Sequence, residues 1–343
     1  MISARPFGKT ADGRPVTCWT LTGTAGACVR IIDYGATVQS VLVPDRAGSL
    51  TDVVLGYDDV AGYENGDMYI GATIGRHANR IGEGRFTLNG VEYQLDCNNG
   101  PNHSHGGYGG FHQRMFCGSV EGDLLKMTLV SPDGDQGYPG ELTLTVEFSL
   151  REDNALTIHY LAETTKDTVV NLTNHSYFDL SGGQNPTGQC LRLAASRITA
   201  VDANTLPTGE FLEVAGTPFD FLTEKPIGRD LHDPMTQLAQ CRGYDHNYVL
   251  DKGEGLAEMA WLRSPETGIT LTMSTDLPGV QLYSGNYISA DNGKGGRTYR
   301  NWSAVALESQ SFPNGMAIPG FPRPVLPAGQ VYDHTTVYRF GRE

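Results

Sequence analysis

Between Leu142 and Leu150 the side chains alternate without a break. Leu142, Leu144, Val146, Phe148 and Leu150 fall on one face, and Thr143, Thr145, Glu147 and Ser149 on the other. A period of two demands extended backbone with one face buried, because a helix would scatter these residues around its axis. The pattern predicts a half-buried antiparallel strand. It returns at Leu156, Ile158 and Tyr160 after the turn residues Glu152-Asp153-Asn154, and at Ile269, Leu271 and Met273 alternating with Thr270, Thr272 and Ser274. Phe86-Thr87-Leu88 and Val91-Glu92-Tyr93-Gln94-Leu95 flank Asn89-Gly90, which predicts a hairpin, since a type I′ turn needs positive φ at both central residues. Helical signals are few. Asp233-Pro234 predicts the start of a short helix through Met235, Leu238 and Ala239 that stops at Arg242 and Gly243.

Composition agrees with this reading. Glycine (43) and proline (18) make up about 18% of the 343 residues, against roughly 12% in average usage. They are dispersed, so they mark many turns, and at this density they exclude a long helical bundle. With 39% hydrophobic residues a substantial core is available. No charge run, repeat or linker divides the chain. The expectation is one all-β domain over residues 1–343, a large antiparallel sandwich or barrel with few short helices.

The net charge of −14 repels phosphate backbones and anionic lipid, so nucleic acid and membrane are excluded as partners. No window is apolar for about 18 residues, and the first residues lack the apolar stretch of a secretory leader. Cys18, Cys28, Cys97, Cys117, Cys190 and Cys241 lie far apart with no Cys-x-x-Cys. Such spacing predicts free or buried thiols and a cytoplasmic location. Monomer and homodimer are both compatible with the sequence.

Five segments carry polar groups that a sandwich does not need. They are Gly75 to Ile81, Asn102 to Gly107, Asn171 to Leu180, Gly243 to Tyr248 and Ala306 to Gln310. Each carries amide and ionisable side chains, four of the five add an aromatic or imidazole ring, and most lie beside glycine. That suits a polar, uncharged ligand with an apolar face, and a small-molecule sugar is one.

Within these segments and beyond them, Gly75-Arg76-x-Ala78-Asn79-Arg80-Ile81, His105-Gly106-Gly107, Thr173-Asn174-His175-Ser176-Tyr177-Phe178, Asp245-His246-Asn247, Gly279-Val280-Gln281, Tyr283-Ser284-Gly285-Asn286 and Leu307-Glu308-x-Gln310 occur in that order. On these motifs, from about Tyr69 onward, the sequence resembles the aldose 1-epimerase (galactose mutarotase) family. The resemblance implies a large antiparallel β-sandwich, or supersandwich, no cofactor, and interconversion of the α and β anomers of free aldoses. By motif position it implies His175 as general acid and Glu308 as general base. Asn79, Arg80, His105, Tyr177, Asp245 and Gln281 would hold the sugar. Ser104, Ser309, the Ser311 to Gly315 stretch and Phe321-Pro322-Arg323-Pro324 depart from the family pattern; the later stretches are expected to reshape the rim of the site.

The residue types fit that chemistry. Opening a hemiacetal needs a base for the O1 proton and an acid for the ring oxygen. A carboxylate with an ordinary pKa near 4.3 is ionised at neutral pH, and a histidine near 6.5 needs only a modest push to be a cation. Each positioned proton transfer is worth roughly 10²–10⁴-fold. Bland readings stand beside these. His175 alone reads as structural, Arg80 as a carboxylate's partner and Asp245 as a turn former. Glu308, by contrast, follows the apolar run Val305-Ala306-Leu307, where a charge needs a reason. His103-x-His105 has no further ligand at metal spacing, so no metal is expected. His159, among alternating strand residues, is expected to be structural or solvent-facing. A hexose-phosphate substrate would need a cationic pocket, for which Arg76, Arg85, Lys294 and Arg297 are the candidates. A non-catalytic sugar binder is the other alternative. A glycoside hydrolase ranks last, having only Glu308 and Asp245 as its carboxylates.

Overall fold

The computed structural model describes residues 1–343. Three antiparallel sheets dominate. The largest has nine strands, in the order Cys117–Glu121, Leu124–Ser131, Leu142–Leu150, Ala155–Thr164, Val331–Arg342, Ile269–Thr275, Ala257–Arg263, Cys190–Leu193 and Lys225–Pro226. A six-stranded sheet runs Tyr177–Phe178, Val305–Gln310, Gly279–Tyr283, Asp245–Val249, Arg197–Val201 and Pro207–Glu213. The first 52 residues supply a five-stranded meander, Ile2–Lys9, Pro15–Thr22, Cys28–Ile32, Thr37–Pro44 and Leu50–Asp52.

The alternation read from the sequence is what joins these layers. Leu142, Leu144, Val146 and Phe148 are fully buried, while Thr143 on the same strand is exposed. They belong to one cluster of 54 buried residues that also contains Val29 and Ile31 of the meander and Val280, Leu282 and Leu307 of the six-stranded sheet. Packing two sheets over a shared apolar layer is the sandwich solution to burying one face of each. Polar groups tie the layers as well. The Tyr338 hydroxyl, on the nine-stranded sheet, donates to the Leu307 carbonyl of the six-stranded sheet at 2.9 Å.

The hairpin is present as Arg85–Leu88 and Val91–Gln94, with Leu88 opposite Val91. Its turn has Asn89 at φ 51° and Gly90 at φ 77°, as a type I′ turn requires. Only two α-helices form, Val60–Asn65 and Thr236–Cys241. The second begins later than predicted, because the Asp233 carboxylate accepts the Met235 N–H in a turn ahead of the helix and does not cap it. It ends at Arg242, which is left-handed at φ 59°. No helix is long and apolar enough to cross a membrane. His159 bridges Glu147 and Asp333 on the face of the nine-stranded sheet, a structural position.

Candidate active site

The strand Val305–Gln310 carries one face into the core and the other into a cavity. Val305 and Leu307 join the 54-residue cluster, and the Ser309 hydroxyl bonds the Thr336 hydroxyl at 2.6 Å. With a two-residue repeat, Ala306, Glu308 and Gln310 must face the other way. Gln281 lies opposite Glu308 on the neighbouring strand, and Asn247 lies opposite Gln281 on the next. Asp245, two residues before Asn247, shares that face.

His175 arrives from the opposite side. Its N–H donates to the Ala72 carbonyl and its carbonyl accepts from Gly71 N–H, both at 2.9 Å. The Asn174 side chain accepts from the Ser176 N–H and hydroxyl and donates to the Gly71 carbonyl at 2.8 Å. These bonds explain why Asn-His-Ser occurs as a unit, since the two flanking polar residues clamp the backbone that presents the imidazole. Arg80 sits on a short pair of strands against Ser104, next to His105. Gly106 allows that approach: a Cβ there would stand 1.8 Å from the Gly75 carbonyl oxygen, and its φ is 84°.

The result is a cavity of about 260 Å³ lined by Asn79, Arg80, His105, His175, Tyr177, Asp245 and Glu308. Seven of the eight residues singled out from the sequence therefore meet. Gln281 does not line the cavity. It is buried behind Asp245 and donates to its carboxylate at 2.6 Å. The cavity is also lined by residues the sequence reading missed as site residues: Asp67, Met68, Tyr69, Asn99, Tyr283 and Tyr287. Tyr69 packs between the rings of His105 (4.7 Å) and His175 (5.9 Å), and Asn99 accepts from Arg80 Nε at 3.1 Å. Tyr283 stood within a quoted motif, but nothing local distinguishes the others from loop residues. Ser104 lines the cavity, whereas Ser309, Ser311 to Gly315 and Phe321 to Pro324 stand behind its wall, with Asn314 N–H donating to the Arg80 carbonyl at 2.9 Å.

His175 Nε2 stands 3.6 Å from Glu308 Oε1, with both side chains almost wholly buried. Burial pushes the His175 imidazole down to about 4 and pushes the Glu308 carboxyl well above the usual carboxylate range, with Asp245 adding to the rise and Arg80 opposing it. Both shifts run against the sequence-based expectation of an ionised glutamate beside a cationic histidine, because desolvation disfavours whichever form is charged. Burial thus favours the neutral form of both groups, a combination that carries one transferable proton. His105 is likewise held neutral by burial and by its neighbours His175 and Arg80. Its Nδ1 accepts the Asn79 N–H at 3.3 Å, which assigns its ring proton to Nε2 and makes that nitrogen a donor. Arg80 Nη2 and Asp245 Oδ2 approach to 3.6 Å.

The donor atoms of His105, His175 and Glu308 lie within 4.8 Å of one another, a spacing that invites the question of a metal. The tautomer answers it, since a ring nitrogen that carries a proton has no lone pair to give. His103 is turned away, donating from Nδ1 to the Asp96 carbonyl and accepting at Nε2 from the Tyr138 hydroxyl, both at 2.8 Å. The cations considered for a phosphate are engaged elsewhere. Arg76 is buried with four carbonyls and the Ser131 hydroxyl as acceptors, Lys294 donates to Asp52 and the Gln39 carbonyl, Arg297 pairs with Asp179, and Arg85 with Glu92.

Residues 17–339 match the aldose 1-epimerase family along its sequence. The chain belongs to the aldose 1-epimerase family. Among its relatives, galactose mutarotase of Bos taurus is 40% identical over 315 residues, covering 91% of this chain and 90% of that one. Aldose 1-epimerase of Escherichia coli K12 is 36% identical over 334 residues, covering 96% of each. The crystal structure of galactose 1-epimerase from Lactobacillus acidophilus NCFM superposes with a TM-score of 0.87 at 28% identity, over 100% of this chain and 99% of that one. Aldose 1-epimerase family membership, a sandwich fold and a cavity with a buried His–Glu pair thus coincide in one molecule.

Proposed function

We propose that this protein is a mutarotase that interconverts the α and β anomers of free aldohexoses such as glucose and galactose. His175 acts as general acid and Glu308 as general base, and Asn79, Arg80, His105, Tyr177 and Asp245 hold the sugar with Gln281 in support. The chain works as a single domain. The observation that carries this reading is the approach of His175 Nε2 to Glu308 Oε1 at 3.6 Å inside a cavity rich in hydrogen-bonding groups.

Ring opening removes one proton from O1 and adds one to the ring oxygen, so the proton count of the pair is conserved. A pair holding one proton is therefore competent in both directions. When the O1 hydroxyl donates to Glu308, the carboxylate form is favoured and the proton is left for His175. His175 then protonates the ring oxygen as Glu308 takes the O1 proton. Rotation about C1–C2 by about half a turn presents the other face of the aldehyde, and reclosure runs the two transfers in reverse. Neutral His105 donates from Nε2 to an oxygen that gains charge, and Arg80 adds a fixed positive charge nearby. The aromatic faces of Tyr177 and Tyr69 pack beside His175, where they offer an apolar surface to the ring.

A hexose phosphate fits poorly. Arg80 is the one lysine or arginine lining the cavity and it faces Asp245, while Asp67 and Glu308 are further acidic groups in the lining. The six cysteines are all unpaired, which supports a reducing, cytoplasmic setting.

Polarimetry of fresh α-D-glucose and α-D-galactose tests the proposal. The protein is expected to accelerate the approach to anomeric equilibrium, and His175→Ala and Glu308→Gln should each lose roughly 10²–10⁴-fold while staying folded. No acceleration with sugar binding intact would turn the reading to a sugar-binding protein. Wild-type rates in either folded variant would overturn the assigned roles.

A further inference from the structure

Gln310 is fully buried and does not line the cavity, yet it touches Asn79 in the cavity wall and Gln281 and Asn247 behind it. Its Oε1 accepts from Asn79 Nδ2 at 3.4 Å. Its Nε2 donates to Gln281 Oε1 at 3.1 Å and to Asn247 Oδ1 at 3.0 Å. Gln281 Nε2 in turn donates to Asp245 Oδ1, and Asp245 Oδ2 faces Arg80 Nη2. The Arg80 backbone N–H donates to Asn79 Oδ1 at 2.8 Å, which closes a ring of five residues.

The direction of every bond in the ring is fixed at two points. The Arg80 N–H can only donate, so the oxygen of Asn79 must face it and Asn79 Nδ2 must face Gln310. An ionised Asp245 can only accept, so Gln281 must turn its nitrogen outward and its oxygen toward Gln310. Gln310 is the one side chain that satisfies both ends at once. Room for the Asn247 amide that receives the second Gln310 bond comes from Gly279, the partner of Gln310 on the neighbouring strand, where a Cβ would stand 2.4 Å from Asn247 Oδ1.

We propose that Gln310 is a positioning residue that sets the orientation of the sugar-holding groups of Asn79, Arg80 and Asp245 through this ring. The inference rests on the mutarotase reading above. Neither His175 nor Glu308 belongs to the ring, and Arg80 keeps its charge and its strand pairing with Ser104, so breaking the ring alters how the sugar is held in ground and transition states alike and leaves the proton transfers and the fixed charge in place. Uniform binding of that kind appears in KM and not in kcat.

Gln310→Met keeps the shape of the side chain and removes its hydrogen bonds. Initial rates with α-D-galactose are expected to show KM raised fivefold or more, with kcat changed less than threefold. A KM increase below fivefold, or a kcat loss larger than the KM rise, would overturn the inference. If Gln310→Met yields too little folded protein, Gln310→Asn is judged by the same thresholds, because it keeps the polarity but is one methylene too short to span Asn79 and Gln281. Wild-type protein in the same assay separates the two proposals. An inactive wild type refutes mutarotation itself, whereas an active wild type with an unchanged variant refutes only the role of Gln310.

Discussion

Replacing Glu308 by glutamine should make the protein more stable at neutral pH while removing its activity. Glu308 is 2% exposed, its Oε2 has no hydrogen-bond partner, and His175, the group nearest its Oε1, is itself pushed toward the neutral form. A carboxyl group whose pKa is raised on folding stabilises the native state fully below its unfolded value, and that contribution is lost as pH rises through the folded value. At pH 7.5 the wild type therefore carries a penalty that an amide of the same shape avoids. Folding an acid that is ionised in the unfolded chain into a site that disfavours its charge costs about 1–3 kcal/mol that a neutral amide does not incur. For 343 residues the unfolding entropy is roughly 0.7 kcal/mol per kelvin, so Tm should rise by about 1.5–4 °C. Differential scanning calorimetry at pH 7.5 and at pH 4.5 checks the sign as well as the size. The gain should be present at the higher pH and shrink at the lower, where the unfolded carboxyl also begins to take up its proton. An equal or lower Tm at pH 7.5, or the same gain at both values, would refute the reasoning that burial holds Glu308 in its protonated form.

Two further outcomes follow from the same shifts. The enzymatic part of kcat/KM, after subtraction of the spontaneous reaction, should fall on the acid side with an apparent pKa near 4, because a second proton on the His175–Glu308 pair leaves no base; an acid limb near 6.5 would contradict the burial argument. His77, His175 and His246 are buried and held down to about 3, 4 and 4 by desolvation. Their neutral forms contribute stability that is complete above pH 6.5 and is lost as pH falls toward 4, since the unfolded chain binds protons first. The urea midpoint should accordingly drop from pH 7.5 to 5.5 and further to 4.5, and a midpoint constant over that range would count against it.

The strands were legible wherever one face is buried and the other is wet. Leu142 to Leu150, Ile269 to Met273 and the Asn89-Gly90 hairpin are of this kind, because a period of two and a positive-φ turn are local properties. The site residues His175, Glu308, Arg80 and Asp245 were reached through motifs that resemble a family, and for His175 the clamp made by Asn174 and Ser176 gives the motif a local cause. What stayed hidden is set by contacts distant in sequence. Asp67 and Tyr69 enter the cavity from a loop with no pattern of its own, and Tyr69 owes its place to rings more than thirty residues away. The amide ring is equally non-local, since Asn79 and Gln310 are 231 residues apart. The inverted ionisation of the His175–Glu308 pair is hidden too. An ordinary pKa belongs to a residue type, whereas its shift belongs to the burial that only the folded chain supplies.

That burial sets stability against function at one point in the molecule. A solvated His175 and Glu308 would hold their ordinary charges at neutral pH, and water would compete for every proton. Withdrawn from water, both groups are pushed toward their neutral forms, and in the proposed mechanism a sugar hydroxyl redistributes the one proton they carry. The cost of burying them falls on the six-stranded sheet, whose strand Val305–Gln310 has all six of its residues buried. Its opposite face offsets that cost. Val305 and Leu307 point into the 54-residue core shared with the nine-stranded sheet, so the residues on either side of Ala306 anchor the strand and the residue after Leu307 is the one we propose as the base. The alternation that makes the strand recognisable as a strand is thus also what delivers a buried acid to the cavity. A helix would have spread those positions around its axis, and so the fold class and the proton inventory of the site have the same geometric origin.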